Sequence, residues 1–399
     1  MKTESAEIEN IVYLDNAATS FPKPPSVPES VLCYMQQIGA NPGRSGHSLS
    51  AEAGSLLFSA RRKAAEFFGI KNPMRVLFCA NATEALNLAI QGLASPGDHV
   101  ITSSMEHNST IRPLREMERR GDISLTVVPC SAEGLVDPDD MIRAVRHSTR
   151  LMVLNHASNV SGTVQPLGAI GRACRERNIP LLADCAQSAG IIDIDLQRDC
   201  VDLLAFAGHK GLLGPTGTGG LVLSDSFDEK GLRPLKFGGT GSLSDRTEQP
   251  DFLPDRFESG TLNMAGISGL LAGLGYITGE NKGLGCIQRH EQTLVESFIN
   301  QALEAVPGFH PIVPAHLVHT GVVSFRMDGL SPSEIAQTLD ERFRIMSRAG
   351  LHCAPLAHQT LGSYPEGLVR FSFGIFNTRD QVDYAVKALA AIAGDHSAA

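Results

Sequence analysis

From residue 76 to residue 223, short apolar runs alternate with stretches of helical spacing. The apolar runs cover 76–79, 99–102, 125–128, 151–154, 180–184, 203–207 and 221–223. Their length and composition suit buried strands. Residues 80–93, 137–147 and 168–177 carry apolar side chains at helical intervals. A parallel strand pair needs a crossover connection, and a helix is the usual one. The pattern therefore predicts an α/β fold with a mainly parallel seven-stranded sheet, covered by helices on both faces. Ligands on such sheets bind beyond the carboxyl ends of the strands. Thr83, His107, Asn159 and Asp184 all follow such ends.

The remaining sequence narrows the class of protein. A chain of 399 residues has room for one large and one smaller domain. We expect a large domain over 17–265 and a smaller α+β domain built from 1–16 and 266–399. In the smaller domain, 265–276 and 289–305 read as bridging helices, 321–326 as a strand and 332–339 as a helix. Near the start, 11–19 reads as a strand running into a turn. Pro22, Pro24, Pro25 and Pro28 read as holding an extended connection, and 51–68 as a helix. The net charge of −9, without a basic run, argues against nucleic acid. Residues 1–10 are polar and acidic, unlike a signal peptide, and no apolar stretch is long enough to span a membrane. Eight scattered cysteines without a Cys-x-x-Cys pair read as reduced thiols of a cytoplasmic protein. His290-Glu291 lacks the second histidine of a zincin motif, and His316 with His319 reads as a pair of loop histidines.

Two charged residues stand where strands end. Lys210 follows the run 203–207 through Gly208-His209, just before the chain turns back. An amine in an apolar pocket loses its proton easily and can act as a nucleophile or form a Schiff base. The plain alternative is a surface lysine in a glycine-rich turn. Asp184 ends the run 180–184. A carboxylate there is costly to bury unless it meets a cation. The pyridinium nitrogen of pyridoxal phosphate (PLP) is such a cation, and a lysine Schiff base with an acid on the ring nitrogen is how that cofactor is held. Residues 80–93 begin with Asn81 or Thr83 as cap, and free N–H groups at a helix start favour a phosphate. The glycine-rich stretch 211–220 has neither the Gly-Lys-Ser/Thr of a Walker loop nor the glycine spacing of a dinucleotide fingerprint.

The order Asp184, Gln187, His209-Lys210 resembles the fold-type I PLP enzymes of the class V aminotransferase group. Arg348-Ala-Gly-Leu-His-Cys-Ala-Pro355 narrows the resemblance to cysteine desulfurases and selenocysteine lyases, in the subgroup with a short loop around the nucleophilic cysteine. The resemblance covers nearly the whole chain and implies a role for each matching residue. Lys210 forms the Schiff base, Asp184 binds the ring nitrogen and Gln187 the ring hydroxyl. Ala82, Thr83 and His209 hold the phosphate, and His107 stacks on the ring and moves protons. Asn159 touches both substrate carboxylate and cofactor. Arg370 clamps that carboxylate, with Arg348 close by. The Asp-Asn-Ala-Ala stretch 15–18 and the Arg-Ser-Gly-His stretch ending at His47 approach the site. Thr261 reaches the phosphate of the neighbouring subunit, which implies a homodimer. Cys353 takes sulfur from L-cysteine, giving L-alanine and a persulfide that a sulfur-acceptor protein collects. A selenocysteine lyase, or a cysteine C–S β-lyase or aminotransferase, is the rival reaction on the same scaffold, with L-selenocysteine as an alternative substrate, and a non-catalytic sulfur-relay scaffold is the rival of another class. Two departures stand out. Ala207 replaces the serine or threonine that many relatives carry two residues before His209, and the stretch from Cys353 to Arg370 is slightly longer than in the nearest pattern.

Overall fold

The computed structural model describes residues 11–43, 46–279, 283–312 and 319–398. Residues 1–10, Arg44, Ser45 and His316, all used above, lie outside the described residues. The chain opens with β1 (Val12–Tyr13), α1 (Ser26–Cys33) and α2 (Ser48–Phe67). Then follow β2 (Val76–Cys79), α3 (Ala82–Leu93), β3 (Asp98–Ser103), α4 (Asn108–Arg119) and β4 (Ile123–Val128). Next come α5 (Pro138–Arg143), β5 (Thr149–Asn155), α6 (Leu167–Arg175), β6 (Leu181–Asp184), β7 (Leu203–Ala207) and β8 (Gly219–Leu223). The C-terminal part holds α7 (Met264–Thr278), α8 (Leu284–Ala305), β9 (Phe309–Pro311), β10 (Val322–Met327) and α9 (Pro332–Phe343). It ends with β11 (Ile345–Met346), β12 (Arg348–Gly350), α10 (Pro355–Thr360), β13 (Leu368–Ser372) and α11 (Arg379–Ala398).

The large sheet has the order β2-β8-β7-β6-β5-β3-β4. Only β8 runs antiparallel to its neighbours, so the mainly parallel seven-stranded sheet is as the sequence predicts. Alternate residues of each strand enter different cores, because successive side chains point to opposite faces. Met152, Leu154, Leu181, Ala183, Leu204 and Phe206 join one core with residues of α2 and α7. Leu151, Val153, Leu182, Leu203 and Ala205 join another with α3. Both faces are thus buried, which explains why these strands read as unbroken apolar runs.

The start of α3 closes tightly on the sheet. A Cβ at Gly219 would fall 2.7 Å from the Asn81 backbone, so glycine is what lets β8 and that helix terminus meet. The proline-rich connection differs from expectation. Pro25 caps α1 and Pro28 lies inside its first turns, where a missing N–H costs nothing. The sequence signal for an extended chain was instead a helix start.

A second sheet, β12-β13-β10-β9, is antiparallel throughout. Its core gathers Phe298 of α8, Phe309, Phe325 and Phe371 of the sheet, and Val382, Val386 and Leu389 of α11. Leu14 belongs to this core, and β1 pairs with β11. Helix α7 starts at Met264 and sends Ile267, Leu270, Leu274 and Ile277 into the larger core, so this stretch, expected beyond residue 265 in the smaller domain, packs with the larger one. Among the described residues, no helix is long and apolar enough to cross a membrane, and no group of three or more metal-ligating side chains occurs.

Candidate active site

The floor of the site is set by strand register. Asp184, the last residue of β6, lies opposite Asn155 of β5 and Ala205 of β7. It is buried, and its carboxylate accepts from the Ala186 N–H at 2.9 Å. Burial pushes its carboxyl above the usual range, and the nearby Lys210 partly opposes this. Lys210 sits three residues beyond β7. Burial lowers its ammonium to about 8, against the pull of Asp184. The peptide before it is heavily held. The His209 carbonyl accepts from the Ser20 N–H at 3.0 Å, Thr19 Oγ1 at 3.2 Å and Lys23 Nζ at 2.9 Å. Ser20 Oγ donates to the Lys210 carbonyl at 3.0 Å.

Two helix starts form the rim. Asn81 caps α3, its Oδ1 accepting from the Glu84 N–H at 2.9 Å, so of the two caps considered Asn81 is the one used. That leaves Ala82 and Thr83 lining a cavity. His107 caps α4. Its Nδ1 accepts from the Ser109 N–H at 3.1 Å and pairs with Ser109 Oγ at 2.9 Å. Burial, with help from Lys210 and Arg112, lowers His107 to about 4. The neutral ring therefore carries its proton on Nε2, since Nδ1 serves as acceptor. Asn159, Asp184 and Gln187 line the same cavity, as do Ala207, His209 and Lys210. With Ala207 there, that wall offers a methyl group and no hydroxyl.

The donor set fits PLP on its own terms. An under-bonded buried carboxylate wants a protonated ring nitrogen, and a capped helix start wants an anion. His209 Nδ1 and Asn159 Oδ1 are buried without a partner, and both belong to residues facing the cavity.

The small domain supplies the other wall. Arg370 of β13 is buried. Its Nη2 donates to Asp15 Oδ1 at 2.7 Å, and its Nη1 to the Asn159 carbonyl at 3.0 Å. Arg348 is half-exposed, with Nε 3.7 Å from Asp15 Oδ2. Cys353 is exposed on the turn between β12 and α10. His352 and Cys353 both adopt the left-handed region, at φ 47° and 56°, a conformation that costs energy for residues with side chains. Two hydrogen bonds hold them there. The Asn108 N–H donates to the Cys353 carbonyl at 2.8 Å, and Asn159 Nδ2 to the His352 carbonyl at 2.6 Å. Cys353 thus faces a groove shared with His107, Ser109 and Arg112. By contrast, burial pushes the Cys174 thiol up to about 12 and raises Cys79 and Cys185 further, so these three are inert packing.

Two expected residues lie elsewhere in this protomer. His47 is exposed and caps α2, accepting from the Ser50 N–H at 3.2 Å. Thr261 is exposed beside Glu258, away from Lys210. Its segment is anchored by the buried Arg61–Glu258 ion pair and by the Phe78 N–H, which donates to Glu258 at 2.6 Å. Sequence reasoning missed Lys23 and Glu106, and named Asp15 only within its stretch. Glu106 is buried, accepts from Ser103 Oγ at 2.8 Å and from the Asn155 N–H at 3.0 Å, and is pushed up to about 7 by burial. Only a charge directly after an apolar strand could have flagged them, and Lys23 lacks even that.

The fold and this site define a member of one enzyme family. The sequence pattern of the family described as Aminotransferase class-V matches residues 12–385, and the chain belongs to that family. It is 34% identical to a probable cysteine desulfurase of Methanothermobacter thermautotrophicus, covering 99% of each chain. It is 31% identical to the cysteine desulfurase of Haloferax volcanii, over 95% of this chain and 88% of that one. Among solved structures it resembles the apo cysteine desulfurase of Thermococcus onnurineus NA1, with a TM-score of 0.89 and 32% identity over 97% of this chain and 96% of that one. The cysteine desulfurase CsdA of Escherichia coli, in its S-sulfonic acid form, matches with a TM-score of 0.85 and 27% identity, over 97% and 96% of the two chains.

Proposed function

We propose that this chain is a PLP-dependent cysteine desulfurase that converts L-cysteine to L-alanine and leaves the sulfur as a persulfide on Cys353. The observation that carries this reading is Cys353 itself, exposed and pinned by Asn108 and Asn159 beside His107. When bound, PLP supplies a ring that accepts electrons from the substrate Cα. Asp184 would hold the ring nitrogen and Gln187 the ring hydroxyl. Ala82, Thr83 and His209 would hold the phosphate, joined by Thr261 of a second copy in a homodimer. Lys210, with its lowered pKa, would attach the cofactor and carry the Cα proton. Arg370, assisted by Arg348 and Asn159, would grip the substrate carboxylate, and His107 would offer its Nε2–H to the bound group. Cys353 gives its proton to the water of the open groove and attacks the substrate sulfur as thiolate. The new S–S bond forms as the Cβ–S bond breaks. The electron pair stays on Cβ, which is protonated to give alanine. A sulfur-acceptor protein in the cytoplasm then takes the persulfide sulfur.

The test is Cys353→Ser. The variant keeps the yellow colour of bound PLP and the spectral change on adding cysteine, because neither needs the thiol. Its alanine formation from cysteine falls on the order of 10³-fold or more, the scale of losing a covalent nucleophile. Selenocysteine still reacts in part, since selenium leaves more readily. Wild-type alanine formation by Cys353→Ser overturns the assignment.

A further inference from the structure

Asp15 lies where a substrate carboxylate is expected. Its Oδ1 accepts from Arg370 Nη2 at 2.7 Å, and its Oδ2 lies 3.7 Å from Arg348 Nε. Arginine can grip a carboxylate with two parallel N–H bonds along two edges, Nε with Nη2 or Nη1 with Nη2. Both edges include Nη2, which offers one N–H to each; Asp15 holds this nitrogen, so a carboxylate on either edge meets the Asp15 charge across it. The rest of the guanidinium is arranged to receive a ligand. Nη1 is fixed by the Asn159 carbonyl at 3.0 Å, and Nε is buried without a partner. Two carboxylates at one guanidinium nitrogen repel each other. That repulsion is relieved if a substrate carboxylate takes the place of Asp15.

The same segment reaches the cofactor residues. After Asp15, Asn16 Nδ2 donates to the Ser372 carbonyl at 2.9 Å, and the Ala17 N–H to Ser372 Oγ at 2.9 Å. The Ala17 carbonyl accepts from Gln187 Nε2 at 2.9 Å. Thr19 and Ser20 hold the His209 and Lys210 carbonyls. Six residues thus join the arginine of the small domain to Gln187 and Lys210 of the large one.

We propose that Asp15 is a specificity-determining residue that fills the Arg370 clamp in the free enzyme and is exchanged for the α-carboxylate of the incoming amino acid. The inference rests on Arg370 being the substrate clamp, as read above. A ligand without a carboxylate cannot make the exchange, so Arg370 stays with Asp15 and the 15–20 segment stays in its free position. Only an amino acid that displaces Asp15 changes the hold on Gln187 and Lys210.

The probe is propionate, an unreactive carboxylate, titrated into the PLP-loaded enzyme by calorimetry. Asp15→Asn keeps a hydrogen-bond acceptor but removes the competing charge. Exchange predicts that propionate binds this variant more tightly, by about fivefold, the scale of a partly exposed ion pair. The KM for cysteine falls in parallel. If Asp15 merely orients Arg370, both constants worsen; unchanged or weaker propionate binding overturns the proposal. Asp15→Ser gives the same comparison if the asparagine variant folds poorly. Arg370→Ala separates the two levels of the argument. It should lose propionate binding. If it binds propionate like the wild type, the clamp reading itself falls and the exchange with it; if it loses binding while Asp15→Asn gains none, only the exchange fails.

Discussion

At Lys210 two influences oppose each other, and under the proposed function their balance sets when PLP can attach. Burial disfavours the ammonium and the Asp184 carboxylate favours it; the outcome lies near 8, below the ordinary lysine value of 10.5. An amine attacks an aldehyde only when unprotonated. Below pH 8 most Lys210 amines are charged, and above it most are free. The rate at which apo-protein captures PLP, followed by its yellow colour, should therefore rise from pH 7 to pH 9 with a midpoint near 8. A midpoint above 10 would mean that Lys210 is an ordinary solvated lysine. At this scale the sequence was informative where a charge ends an apolar run, as at Asp184, or follows one within a few residues, as at Lys210. It was silent where the role depends on a distant partner. Nothing local to Asp15 announces Arg370, 355 residues away. Glu106 looks like any loop glutamate until Ser103 and Asn155 close over it.

Among the elements, legibility followed burial on both faces. The strands of the large sheet are apolar throughout, and their runs stood out from the surrounding polar sequence. Helix α4 was left unread although its signal is strong. Thr110, Ile111, Leu114 and Met117 face inward, while Arg112, Arg115, Arg119 and Arg120 face out. Pro113, the sixth residue and inside the helix, hides the pattern, because proline there gives up the N–H bond to the residue four before it. Its cap is a histidine, a residue outside the usual cap set, so the start went unmarked too. The cost of missing α4 is specific. Its first N–H, from Asn108, holds the Cys353 carbonyl, so the Cys353 loop leans on a helix end as well as on its own turn from Leu351 to Ala354. The expected helix 137–147 is real but short, running from Pro138 to Arg143 behind an Asp137 cap.

The whole molecule places the site between two cores that one N-terminal segment ties together, with Leu14 in the smaller core and Ser20 on the lysine of the larger. Thr261 lies away from Lys210 within this chain, as a residue serving a neighbour's phosphate would. We therefore expect sedimentation as a homodimer, with Thr261→Ala losing PLP several-fold faster on dilution; a fully active monomer would contradict this. The account as a whole stands on what happens to the carbon skeleton once the sulfur leaves. The most direct measurement is product analysis of the PLP-loaded enzyme supplied with L-cysteine and a thiol that strips persulfide sulfur. Removal of sulfur by Cys353 predicts alanine and sulfide in equal amounts, without pyruvate. Pyruvate and ammonia in place of alanine would mean that the C–S bond breaks by elimination, and that Cys353 is not the sulfur's first acceptor.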